Sequence, residues 1–103
     1  MGILNKILSI KIKNRINKIN YVIENPIRVQ QKLLTTHIQI AKHTLFGKQH
    51  KFNHIKNYSD FCNNTPITNY ESLCVYIKQA KQNQANILWP GTVKWFAKSS
   101  GTT

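Results

Sequence analysis

Apolar residues recur every three or four positions through the first part of the chain, and Asn25-Pro26 interrupts them. Side chains at that spacing share one face of an α-helix, so the pattern predicts a helix over residues 2–23. Proline disfavours helical geometry in the preceding residue and suits a helix's first turn. A second helix is therefore predicted to begin at Pro26, with Asn25 as its N-cap. The stripe of the first helix comprises Leu4, Leu8, Ile12, Ile16, Ile19, Val22 and Ile23.

The second helix is predicted to continue to Leu45 and to end at Phe46-Gly47, since glycine often follows the last helical turn. Residues 48–55 indicate a basic loop, and residues 58–61 a short capped helix. Thr68 and Glu71 have the spacing of a capping box, so another helix should begin there. Its stripe would be Leu73, Ile77 and Ala80.

Residues 82–103 differ in character from the helical segments before them. Residues 82–84 indicate a polar loop, and Pro90-Gly91 fits a type II turn. Residues 93–97 combine β-branched and aromatic side chains, which predicts a strand. The fold class predicted for the chain is therefore mainly α, ending in a first β-strand.

Length and charge limit the possible classes of protein. A chain of 103 residues allows one domain at most. Its 15 Lys+Arg against 3 Asp+Glu give a net charge of +12, which attracts anionic partners. No apolar run reaches the length of a membrane span and no signal peptide is recognisable, so we expect a cytoplasmic protein.

Residues 99–103 carry the most informative candidate chemistry. Hydroxyl side chains and a glycine that follow a strand suit a phosphate loop, because glycine lets backbone N–H groups approach an anion. The residues are Ser99, Ser100, Gly101, Thr102 and Thr103. The same composition is also typical of a frayed terminal tail.

Six segments in order give the chain a wider resemblance. They are residues 25–31, 44–48, 58–61, 66–73, 87–91 and 95–103. Together they resemble the start of the auxin-responsive Gretchen-Hagen-three family of acyl-acid amido synthetases, and above all its bacterial branch. The first helix matches only in being basic and amphipathic.

The resemblance implies an N-terminal fragment of an α/β adenylate-forming enzyme. Residues 1–24 would be a basic helix, and residues 25–103 the first part of an incomplete adenylation domain. The family's reaction uses ATP and Mg²⁺ to adenylate a carboxylic acid, and then joins the acyl group to an amine or amino acid. Ser99, Ser100, Gly101, Thr102 and Thr103 would bind the ATP phosphates. The metal ligand, the adenine pocket and the acyl pocket would lie beyond this sequence, so the fragment alone should be inactive. Its helices would expose apolar stripes without their partners, so the fragment could self-associate.

Two other hypotheses remain open. The chain could be a small basic helical module that binds nucleic acid or an anionic membrane surface, using Lys6, Lys11, Lys13, Arg15 and Lys18. It could also be a non-catalytic remnant that only packs against other parts of a protein. No integral membrane contact and no specific nucleic acid are predicted for the enzyme.

Several single residues receive structural rather than chemical predictions. Trp89, Trp95 and Phe96 are expected in the core, and Cys62 and Cys74 as small buried apolar groups. His37 is expected to be packed and His43 solvated. His50 and His54 are four apart, but a third zinc ligand is missing from the sequence pattern, so no metal site is predicted.

Overall fold

The computed structural model describes residues 2–99, and its regular structure is helical. Five α-helices and one 3-10 helix follow one another in this part of the chain. They are α1 (Ile3–Glu24), α2 (Pro26–Ala41), α3 (Leu45–Gln49), the 3-10 helix (Phe52–His54), α4 (Tyr58–Asn64) and α5 (Tyr70–Lys81). The mainly helical prediction is confirmed. The chain divides into two compact units, Met1–Leu33 and Leu34–Thr103.

The break between α1 and α2 lies where the sequence predicts it. The Asn25 carbonyl accepts the Val29 N–H at 3.0 Å, which opens the hydrogen-bond ladder of α2, and Pro26 occupies the first helical position. The Asn25 side chain also serves the other helix, because its Nδ2 donates to the Tyr21 carbonyl at 3.1 Å. One residue thus ends α1 and begins α2.

The second helix is shorter than predicted, because Thr44 begins a new one. Its hydroxyl donates to the Ala41 carbonyl at 2.7 Å and accepts the Gly47 N–H at 3.0 Å. Those two bonds end α2 at Ala41 and cap the N-terminus of α3. Gly47 therefore lies inside α3 and does not terminate the preceding helix. A Cβ at Gly47 would stand 2.1 Å from the Ala41 carbonyl oxygen, so only glycine fits.

The core of the second unit is formed by the end of α2, by the 3-10 helix and by the residue that follows it. Ile38, Ala41, Phe52 and Ile55 are buried there, and Leu34, Phe46 and Phe61 pack against them. The prediction that residues 48–55 form a basic loop is wrong. Part of this segment is helical, and Phe52 and Ile55 contribute apolar side chains to the core, which gives this stretch a fixed structure.

Two asparagines cap the remaining helices. Asn57 accepts the Asp60 N–H at 2.9 Å at the start of α4, which confirms the capped short helix. Asn69 accepts the Ser72 N–H at 3.0 Å at the start of α5. The predicted capping box is therefore displaced by one residue, since Asn69 replaces Thr68 as N-cap. In the predicted stripe, Ala80 is buried, whereas Leu73 and Ile77 are half-buried.

The strand predicted over residues 93–97 is absent. Residues 92–99 form neither helix nor strand, and Trp95 is 90% exposed. β-branched and aromatic residues favour strands because they fit a pleated, half-buried surface. Residues 2–99 provide no neighbouring strand, so the backbone of this segment has no sheet to join.

Two further expectations concern cysteines and membranes. Cys62 is exposed and Cys74 half-buried, and both are free thiols, so the prediction of buried apolar cysteines is wrong for Cys62. In the part of the chain that the structure describes, no helix combines the length and apolarity needed to cross a bilayer.

Candidate functional site

Of the five predicted phosphate-binding residues, only Ser99 is within the described part of the chain. Its side chain is exposed. Ser100, Gly101, Thr102 and Thr103 lie outside the described residues. What the structure does show is the segment that leads to them, residues 92–99, and the loop from which that segment departs.

The loop of residues 86–91, here the Asn86 loop, is closed by two hydrogen bonds between its ends. The Asn86 N–H donates to the Gly91 carbonyl at 2.9 Å, and the Gly91 N–H donates to Asn86 Oδ1 at 2.7 Å. Gly91 has a φ of 83°, the positive value that the third residue of a type II turn requires and that glycine adopts without strain. Asn86 itself has a φ of 58°, a conformation that asparagine tolerates better than most residues.

The Asn86 loop is attached to the N-terminus of α3. The Leu45 N–H donates to the Asn86 carbonyl at 2.8 Å, and the Phe46 N–H donates to the Ile87 carbonyl at 3.0 Å. Ile87 is buried, which adds an apolar contact to those bonds. Residues 92–99 therefore start from a point that is fixed to the second unit by backbone hydrogen bonds.

Trp89, within the Asn86 loop, contacts His37. The two rings meet edge to face with centroids 5.9 Å apart, so His37 is packed against a ring although it remains exposed. Trp89 is 45% and Phe96 48% exposed. The prediction that Trp89, Trp95 and Phe96 form a core is therefore wrong, most clearly for Trp95. His43 is exposed, as predicted.

A small cavity of about 110 Å³ lies between α3 and α5. The Phe46 ring stacks on His50 with centroids 3.9 Å apart and meets Tyr76 edge to face at 5.2 Å. Two of the polar groups that line the cavity already have partners: a His50 ring nitrogen is 2.9 Å from the Phe46 carbonyl, and the Tyr76 hydroxyl donates to Gln49. Sequence patterns give no sign of this cavity, because contacts between residues so distant in the sequence leave no periodic signal. Its lining residues are Phe46, His50, Thr68, Ser72, Leu73 and Tyr76.

The acidic residues do not assemble into a cation site. Asp60 Oδ2 accepts the Lys56 N–H at 2.9 Å, so this carboxylate closes the turn before α4. Glu71 lies in the first turn of α5, where its negative charge stabilises the helix through its interaction with the positive end of the helix dipole. Within residues 2–99, no three His, Cys, Asp or Glu side chains are grouped closely enough to hold a metal ion.

Two tyrosines one helical turn before a cysteine have altered ionisation. A hydrogen bond with the Cys62 side chain raises the pKa of Tyr58, and a hydrogen bond with Cys74 raises the pKa of Tyr70. In each pair the negative charge of the cysteine thiolate also raises the pKa of the tyrosine. Both phenols therefore stay protonated to higher pH than a free tyrosine, which disfavours a role as general bases.

Comparison with known proteins identifies one family. The model described as the GH3 family N-terminal domain matches residues 15–103, which is most of the chain. No curated protein and no solved structure matches the sequence. The matched range includes the Asn86 loop and the serine, glycine and threonine residues that follow it.

Proposed function

Because the chain belongs to the GH3 family, whose members conjugate acids to amino acids, we propose that it forms the N-terminal part of an ATP-dependent acyl-acid amido synthetase. In the proposed reaction, a carboxylate oxygen attacks the α-phosphorus of ATP and pyrophosphate leaves. An amine nitrogen then attacks the acyl carbon, AMP leaves with its electron pair, and the amide nitrogen loses a proton. The acid and the amine are small molecules.

Residues 99–103 are the part of this chain that we assign to ATP. Charge accumulates on the β- and γ-phosphates as the bond to the α-phosphate breaks, so donors at that position stabilise the transition state. Serine and threonine hydroxyls and glycine N–H groups supply such donors. In this proposal Ser99, Ser100, Gly101, Thr102 and Thr103 surround the leaving pyrophosphate.

The fixed origin of residues 92–99 supports this assignment. A phosphate loop works only when its donors are held in place before the substrate binds. The Asn86 loop is bonded to α3 through two backbone hydrogen bonds and to itself through two more. Seven residues, 92–98, connect this fixed loop to Ser99, the first residue of the proposed phosphate loop.

Mg²⁺ fits the proposed reaction but does not fit this part of the protein. Bound Mg²⁺ would neutralise phosphate charge, and it takes oxygen ligands, commonly one or two carboxylates. The described acids are separated and, in the case of Asp60, already engaged. We therefore assign the cation no ligand among residues 2–99.

The observation that carries the proposal is the family match over residues 15–103. The test is carboxylate-dependent exchange of pyrophosphate into ATP by the protein that carries this N-terminal domain. Gly101→Trp should abolish the exchange, because the indole would fill the space through which backbone N–H groups approach the phosphates. Losing one such donor typically costs about a hundredfold or more in rate.

His43→Ala is the matched control, since His43 is exposed and outside the proposed loop. This variant should exchange pyrophosphate at the rate of the unaltered protein. Full exchange by Gly101→Trp, or equal loss in both variants, would contradict the assignment of residues 99–103. No exchange with any carboxylic acid would contradict the proposed reaction itself.

A further inference from the structure

The α1 helix presents an apolar stripe that the structure leaves exposed. None of its residues is buried. At about 100° per residue, the stripe occupies roughly a third of the helix circumference. Leu8 is 56%, Ile12 50% and Ile16 49% exposed. The α1 stripe comprises Leu4, Leu8, Ile12, Ile16, Ile19, Val22 and Ile23.

The charges on α1 have one sign over almost its whole length. Its basic residues are Lys6, Lys11, Lys13, Arg15 and Lys18, and its acidic residue is Glu24, at the last position. From helical geometry, Lys11 and Lys18 lie along one edge of the α1 stripe and Arg15 lies just inside that edge. Lys13 lies beyond the other edge. Long basic side chains at such edges can keep their charge in water while their stems cover apolar surface.

The first turns of α1 also lie outside the matched family domain, which begins at residue 15. They include two exposed residues of the α1 stripe, Leu4 at 80% and Leu8 at 56% exposure. The family domain therefore does not account for this part of the helix, although it carries the first three residues of the α1 stripe and three of the five basic residues of α1.

We propose that α1 binds the surface of an anionic lipid bilayer, lying in the membrane plane with the α1 stripe at the headgroup and acyl boundary. Ile3, Ile7 and Ile10 are exposed outside the α1 stripe, but the stripe itself and the basic residues at its edge form the pattern of an interfacial helix. Nucleic acid would be attracted by the cations but would make no use of the stripe. A second copy of α1 would bring like charges together along the same edges.

The experiment is flotation of the full chain with vesicles of phosphatidylcholine, with and without phosphatidylglycerol. Each basic residue at an anionic surface strengthens binding about fivefold. Lys11→Gln, Arg15→Gln and Lys18→Gln together should therefore weaken binding to the anionic vesicles by about a hundredfold. The control neutralises three exposed lysines elsewhere, Lys56, Lys78 and Lys94, and should weaken binding much less.

A second pair of variants separates the apolar contribution from charge. Leu8→Gln with Ile12→Gln removes two residues of the α1 stripe, and Ile3→Gln with Ile10→Gln removes two from the opposite side. Gln is a helix former at least as good as Ile, and circular dichroism of the free variants checks that the helix content is kept. The first pair should lose vesicle binding by at least about tenfold and the second should retain it.

Several outcomes would overturn the proposal. These are equal binding to the two kinds of vesicle, equal loss in the two apolar variants, and equal loss in the two sets of charge variants. Retention on duplex RNA without vesicle binding would make α1 a nucleic-acid surface instead. Sedimentation of a dimer that only the α1 stripe variant dissociates, again without vesicle binding, would make it a contact between copies of the chain.

Discussion

Gly47 shows how one residue fixes the path of the chain. A Cβ at this position would lie 2.1 Å from the Ala41 carbonyl oxygen and 3.0 Å from its carbon, which are backbone atoms that cannot rotate away. Gly47→Ala should therefore lower the free energy of unfolding by about 1–3 kcal/mol, as overpacking of a buried site does. Urea denaturation followed by circular dichroism measures the change.

Gly2→Ala is the control for this prediction, because nothing lies within 4 Å of a Cβ at Gly2. It should leave the free energy of unfolding unchanged within about 0.5 kcal/mol. If Gly47→Ala were as stable as Gly2→Ala, the close approach of α3 to the end of α2 would be incorrect.

At the scale of elements, the start of α5 differs from the sequence prediction by one residue. Asn69 Oδ1 accepts the Ser72 N–H at 3.0 Å and also the Ser72 hydroxyl at 2.8 Å, whereas the sequence pattern assigns the cap to Thr68. Asn69→Ala should cost about 1 kcal/mol of stability, since it leaves a first-turn N–H without its partner. Chemical denaturation of Asn69→Ala beside Thr68→Ala distinguishes the two assignments.

Thr68→Ala should change the stability by less than about 0.5 kcal/mol. A larger loss in Thr68→Ala than in Asn69→Ala would restore the capping box and contradict the observed start of α5. Asn57→Ala offers an independent comparison, because Asn57 makes the corresponding bond at the start of α4.

At the scale of the whole molecule, stability in the second unit depends on a small core. Phe52 is 6% exposed and packs with Ile38, Ala41 and Ile55, and its ring meets Phe46 edge to face at 5.9 Å. Phe52→Ala should therefore cost about 3–5 kcal/mol, a large part of the stability of a small domain. Thermal unfolding followed by far-UV circular dichroism measures this loss of stability.

Phe96→Ala is the matched variant, since the Phe96 side chain is 48% exposed and its segment forms no regular structure. We expect a loss of less than about 1 kcal/mol from it. An equal effect of the two substitutions would show that Phe96 belongs to the core, as the sequence analysis predicted.

The sequence predicted helix positions well where the structure depends only on residues close together in the chain. The apolar spacing of residues 2–23 and the Asn25-Pro26 break each act within one or two turns, and α1 and the start of α2 appear as expected. Pro90-Gly91 belongs to the same group, because the positive φ of Gly91 is a local requirement. Such features depend on backbone sterics and on hydrogen bonds between near neighbours.

The failures occur where distant parts of the chain decide the outcome. The sequence analysis did not predict that Thr44 ends α2 and caps α3. The first N–H groups of α3 donate to carbonyls of the Asn86 loop, which comes about forty residues later in the chain. The strand at 93–97 fails because its partner would have to come from elsewhere. For the candidate site, the residue types at 99–103 come from sequence, while the structure adds only the fixed position from which that segment departs.

The sequence by itself determined that this chain is helical, where its first two helices divide, and which family its ordered blocks resemble, because these properties depend on local geometry and residue order. Only the tertiary structure decided that residues 48–55 supply core side chains, that α3 is bonded to the Asn86 loop, and that Trp95 is exposed. Those outcomes depend on which surfaces meet, and burial and backbone pairing between distant segments cannot be read from spacing alone.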